Sequence, residues 1–241
     1  MAKKTTKKNV KKTKKDSIKD KSSEDKVEEI SAQEREQNKT AMWFFVIILL
    51  TLGGSIIGYL YVKDSNEFSY GGVNFTRVKD GIEYYHGKTP IMYNGKVSTF
   101  FNLYFRHNPK QNKIPINTEE FALSREVVIS FDPQGQEEQK CRAELAVGHA
   151  NLKQFMEVFP WVDFVSGAVI DEDYANEKGL NFANCESSHE NKTVIMLVNS
   201  GKFGIEKEEN CYIVNVKNCG YNKGTERLMI GFVAKINNAT L

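Results

Sequence analysis

Four cysteines and four histidines are the residues of this 241-residue chain best suited to chemistry beyond packing. Cys141, Cys185, Cys211 and Cys219 all lie in the C-terminal half, and an even count confined to one side fits disulfides made in an oxidising compartment. Cys211 and Cys219 flank the run YIVNVKN, which reads as one strand. Extended chain of that length holds their Cα atoms about 26 Å apart, far beyond the ~7 Å limit for a bridge. The expected bonds therefore join Cys141 and Cys185 to Cys211 and Cys219, in either combination. The sharper alternative is zinc held by Cys185, His189, Cys211 and Cys219, but that set contains no C-x-x-C pair.

Hydrolysis needs a nucleophile oriented by a base. The chain has no G-x-S-x-G elbow, no S-x-x-K and no H-E-x-x-H. His149 falls on an apolar helical stripe and reads as a core histidine, while His86 and His107 sit near hairpin ends and read as solvated. Asp171, Glu172 and Asp173 with Glu177 lack the alternating acids of a calcium loop, so they read as the start of a helix. Glycines 201, 204, 220 and 224 belong to turns rather than to a phosphate loop, and no cofactor is expected. Asn74, Asn191 and Asn238 open Asn-x-Thr sequons, at about the frequency chance would produce.

Compartment decides which of these chemistries is open, and one stretch decides compartment. Ala41 to Val62 (AMWFFVIILLTLGGSIIGYLYV) holds no charge, and 12 of its 22 residues are Leu, Ile, Val or Phe. As a helix it spans about 33 Å, enough for a ~30 Å hydrocarbon core. Trp43, Tyr59 and Tyr61 lie near its ends, at the level of the headgroups. Residues 1–40 carry 13 basic and 8 acidic side chains, and residues 63–241 carry 20 and 23. Basic tails stay in the cytoplasm, so the expectation is an uncleaved signal anchor in the cell membrane with residues 63–241 outside.

The tail itself divides. Residues 1–15 contain eight lysines and no acid, which suits a disordered retention signal or a contact with anionic lipid headgroups. No aromatic residue is interleaved there, so no specific nucleic acid is expected. From Ser22 the composition favours a helix running into the span. Within the span, Gly54-x-x-x-Gly58 would let a second helix approach closely, as a homodimer or with another membrane protein.

Residues 63–241 show many strand signals. Hairpins are expected around Asp80-Gly81, Asn94-Gly95 and Ser200-Gly201, the last joining Thr193–Asn199 to Lys202–Glu206. Residues 126–170 read as a β-α-β unit whose helix carries Leu145, His149, Leu152, Phe155 and Met156. Cys211–Lys217 and Glu226–Ile236 read as two final strands. The expected class is α+β: a single N-terminal transmembrane helix, then an outer domain with a mixed or mostly antiparallel sheet, β-hairpins and one main amphipathic helix. The expected function is a membrane-anchored binding or interaction module. The alternative is an exported, membrane-tethered enzyme: a hydrolase with its site between the hairpins and the β-α-β unit, or, less favoured without C-x-x-C, a thiol oxidoreductase.

Overall fold

The computed structural model describes residues 21–118, 121–133 and 139–241. The Lys-rich stretch 1–15, with its expected disorder and lipid contacts, lies outside them. Helix α1 (Lys21–Asn66) is continuous. Its segment Asn38–Leu60 is long and apolar enough to cross a membrane, and none of it is buried within the chain. A helix apolar all round that covers nothing of its own protein requires another apolar medium. That helix and two disulfides mark a membrane-anchored or exported protein. The chain divides into two units between Tyr61 and Val62, and the second is described by itself.

The second unit is α+β with two sheets. The first is an antiparallel meander of β1 (Glu67–Tyr70), β2 (Val73–Asp80), β3 (Ile82–Tyr93) and β4 (Lys96–Phe105), paired in chain order. Asn94 and Gly95 both take positive φ (50° and 72°), the requirement of a tight hairpin turn. The stretches Ile82–Tyr85 and Ile91–Tyr93 belong to one twelve-residue strand, β3. Alternation sends Val73, Phe75, Tyr85, Ile91, Leu103 and Phe105 inward, where all are buried.

The second sheet is built from β5 (Glu126–Phe131), β6 (Phe164–Val169), β7 (Lys192–Asn199), β8 (Gly204–Glu208) and β9 (Cys211–Val216), in the order β6-β5-β7-β9-β8. β6, β5, β7 and β9 run parallel, and β8 closes the edge antiparallel to β9. α2 (Gln139–Met156) joins β5 to β6, α3 (Glu172–Lys178) follows β6, and α4 (Tyr221–Ile236) follows β9.

Two expectations are corrected. Glu226–Ile236 is helix, the body of α4, so a second long helix stands beside α2. β7 and β8 form no hairpin, because β9 lies between them; the hairpin is β8–β9. Both differences have one cause. α2 and α4 make a middle layer between the sheets: α2 touches β5 and β6 and sets Phe155 at a tilt against Phe101 of β4, while α4 touches β9, β8 and β3. A helix covered on both sides loses its polar stripe, and residues 224–234 of α4 are buried without interruption. An unbroken apolar run cannot be told from a buried strand by periodicity. β9 is likewise covered on both faces, so it carries no alternation to reveal its central place.

The disulfides lie on opposite sides of the second sheet. Cys141–Cys219 ties the first turn of α2 to the residue before the N-cap of α4, inside the main core. Cys185–Cys211 ties a short 3-10 turn (Cys185–Ser187) to the start of β9, in a smaller core with Val128, Ala168, Ala183 and Val194.

Candidate functional site

Large apolar side chains of the second unit stand open on the outer face of the first sheet, as Phe164, Leu180 and Phe182 do elsewhere. Period-2 alternation that buries one face leaves Tyr84, His86 and Lys88 of β3 and Phe100, Asn102 and Tyr104 of β4 on the other. The register sets His86 opposite Tyr104, Lys88 opposite Asn102 and Pro90 opposite Phe100. The imidazole of His86 stacks on Tyr104 with centroids 4.9 Å apart, and Tyr84 meets Tyr104 at 6.0 Å. The Lys88 ammonium sits 4.6 Å above the Phe100 ring. His86 Nε2 and Asn102 Oδ1 are 3.4 Å apart. Each cross-strand pair is worth about 0.2–1 kcal/mol, so the rings hold one another in place while Phe100 and Tyr104 stay 56% exposed.

A polar cluster lies where the end of β4 meets α4. Glu226, with its side chain 3% exposed, accepts hydrogen bonds from the main-chain N–H of Arg106 (2.6 Å) and His107 (3.1 Å). Its carboxylate is also 2.9 Å from His107 Nδ1. Burial pushes the Glu226 carboxyl up, and the bonds from His107 and Arg106 act against that shift. Beside it, Asn222 Nδ2 donates to Glu144 at 2.6 Å, and Arg227 donates to the Ile114 carbonyl and the Tyr70 hydroxyl. A buried carboxylate that fixes an imidazole through Nδ1 leaves Nε2 for proton transfer, and the His107 side chain is 40% exposed.

Two further titratable groups sit in the middle layer. His149 is half-buried at the edge of Phe131, and its Nε2 has no hydrogen-bond partner. Burial, and secondarily Lys153, hold its imidazole below the ordinary range. Tyr221 is fully buried with an unpartnered hydroxyl, pushed up to about 12 by burial and then by Asp132.

Two cavities are shallow and bring no catalytic set together. One of about 190 Å³ lies between Phe131, Gly167–Val169 and Gly179–Asn181. The other, about 40 Å³, runs between Phe101–Phe105 of β4 and Asn151, Gln154 and Met229. Neither lining contains an acid, a histidine or a lysine.

The structure separates most residues singled out from the sequence. Cys219 pairs with Cys141 while Cys185 pairs with Cys211, so the four-residue zinc set is split and its sulfurs are spent. Among the described residues no group of three or more His, Cys, Asp or Glu could hold a metal. Asp171 caps α3, accepting from the Tyr174 N–H at 2.9 Å, with Glu172 and Asp173 in its first turn. A Cβ at Gly54 or Gly58 would meet nothing within 4 Å. Asn74, Asn191 and Asn238 are exposed. His107 is no free histidine but the partner of Glu226, and Glu226 was invisible inside a presumed strand. A lone acid within the run TERLMIGFVA was the one signal of it. Comparison of the chain with protein-family models, with curated proteins and with solved structures returned no match in any of the three.

Proposed function

We infer that the protein is a single-pass membrane protein whose outer unit is a binding module at the cell surface. Residues 1–40 are cytoplasmic, with the Lys-rich stretch against anionic headgroups at ~1 kcal/mol per lysine. Gly54 and Gly58 offer the span a face for close helix association. The observation that carries the reading is the interlocked aromatic face of Tyr84, His86, Phe100 and Tyr104. Exposed rings fixed by their neighbours lose little entropy on binding, which is why aromatic residues dominate interface energetics. Lys88 is the one lysine or arginine among these rings, too little charge for a polyanion, so the favoured partner is a protein surface that is flat, apolar and weakly charged.

The test uses full-length protein captured from membranes. Tyr84→Ala with Tyr104→Ala should reduce recovery of a stoichiometric partner at least tenfold without moving the Tm of the outer unit. Unchanged recovery overturns the reading. Orientation is tested in sealed vesicles: protease added on the cytoplasmic side should spare residues 63–241, and their digestion overturns the topology.

A second reading, a membrane-tethered hydrolase, is favoured by the Glu226–His107 pair alone. Ester hydrolysis by the full-length protein that disappears in His107→Ala and persists in the Tyr84, Tyr104 variant would replace the binding module with the enzyme.

A further inference from the structure

β4 is the long edge of the first sheet, and its outer side is open. The strand hydrogen-bonds to β3, and no other described backbone group bonds to residues 96–105. The shift that sets Ile91 opposite Thr99 but Met92 opposite Val97 leaves Ser98 unpaired, so the regular edge is the seven residues Thr99–Phe105. Natural edges are blunted by shortness, charge or proline. This one, TFFNLYF, has no charge, no proline and no glycine, and it alternates exposed Phe100, Asn102 and Tyr104 with inward Phe101, Leu103 and Phe105.

We propose that β4 pairs antiparallel with β4 of a second copy of this chain, about a two-fold axis through Asn102, joining two first sheets into one eight-stranded sheet. Self-pairing is singled out by the side chains. In that register Phe100 faces Tyr104 of the other copy and Tyr104 faces its Phe100, while Asn102 meets Asn102 and Phe101 meets Leu103. Arg106 falls opposite Ser98 and Lys96 opposite Asn108, so no like charges oppose each other. The two-fold makes each off-axis pair occur twice. The cleft between β4 and α2 lies along the same edge, so no described element covers it.

Seven paired residues extend about 24 Å and, at side-chain depth, bury roughly 500 Å² in total. That is below the ~1,200 Å² of a stable soluble complex. The pairing therefore depends on confinement of both copies to one bilayer, which raises their effective concentration.

The experiment uses full-length protein in its membrane. The native cysteines are all in disulfides, so Asn102→Cys introduces a single free thiol. Directly opposed residues of an antiparallel pair have Cα atoms about 4.5–5.5 Å apart, within disulfide range. Mild oxidation should yield at least tenfold more covalent homodimer from Asn102→Cys than from Thr76→Cys, exposed on β2. In the Asn102→Cys background, Phe100→Lys with Tyr104→Lys should cut the dimer at least tenfold, and Phe100→Lys with Tyr104→Glu should restore it. Both pairs of positions are exposed, and an unchanged Tm checks the fold. Equal cross-linking from the Asn102→Cys and Thr76→Cys variants, a cross-link to a different polypeptide, or indifference to the charge swap each overturns the proposal.

Discussion

Glu226 and His107, 119 residues apart in sequence, form the hinge pin between the first sheet and the middle layer. The buried carboxylate takes two main-chain N–H bonds and lies 2.9 Å from Nδ1. Leaving a buried donor unpaired costs about 1–3 kcal/mol. Glu226→Ala should therefore cost about 2–4 kcal/mol in urea unfolding of the outer unit. His107→Ala should cost about 1 kcal/mol, because its ring is 40% exposed and its main-chain bond survives. Equal losses would show that the ring, not the backbone clamp, holds the junction.

His149 makes stability depend on pH. Its imidazole is held below the ordinary range of about 6.5, so between the two values the unfolded chain binds more protons than the folded one. The contribution is complete above that range and is lost as pH falls through the folded value. Glu226, held up by burial, acts in the opposite sense: its contribution is present below about 4.5 and lost as pH rises. The two groups oppose each other as pH falls from 7.5 to 5.5, so the test is a difference: unfolding free energy should fall less, or rise more, over that interval in His149→Gln than in the unaltered protein. Parallel slopes for the two proteins would refute the assignment.

Gly224 lets α4 lie directly on β9. A Cβ there would stand 2.7 Å from Val216 Cγ1 and 2.8 Å from Val214 Cγ1. Ala improves helix propensity by about 1 kcal/mol, and overpacking costs about 1–3 kcal/mol in a full core. Gly224→Ala should be net destabilising by up to about 2 kcal/mol in thermal unfolding. A stabilised variant would mean that the two valines move aside freely.

Loop length ranks the disulfides. Cys141–Cys219 closes 78 residues and Cys185–Cys211 closes 26. Chain entropy assigns them about 4.5 and 3.5 kcal/mol. Replacing each pair by alanines should lower the urea midpoint more for the first, and the reverse order would point to the small core around Cys211 as the dominant effect.

The Tyr221 hydroxyl is buried with no partner, so Tyr221→Phe should raise stability by up to about 1 kcal/mol. The phenol is pushed up to about 12, which makes its contribution complete below about pH 10 and lost as pH rises through 12. The Phe variant should lack that alkaline loss, read by unfolding at about pH 9 and pH 11.

Features of the fold that depend on local chemistry were legible in the sequence. Asp80-Gly81 and Asn94-Gly95 mark their turns because positive φ demands such residues, and the α2 stripe is visible because one side of that helix still meets solvent. What depends on a third layer was not. α4 lost its periodicity to burial on both sides, its N-cap is Gly220 with no side-chain bond to announce it, and β9 was inserted between β7 and β8 by pairing across chain distance. The candidate site divides the same way. Tyr104 sits on a strand whose alternation is visible, whereas His86 reads in the sequence as a solvated hairpin-end residue, and their stacking follows from a register that sequence does not print. Glu226 acquires meaning only once Arg106 and His107 are brought to it.

α4 comes after every strand it covers. A chain delivered from its N-terminus has α2 available early, but leaves the surfaces of β3, β8 and β9 that α4 covers bare until residues 221–236 arrive. Those strands spend that interval with half of the middle layer missing, when pairing with a neighbour competes with closure. Completion of the outer unit is thus a late event in its biosynthesis, and a chain stopped before α4 would present β9 and β3 with apolar faces open.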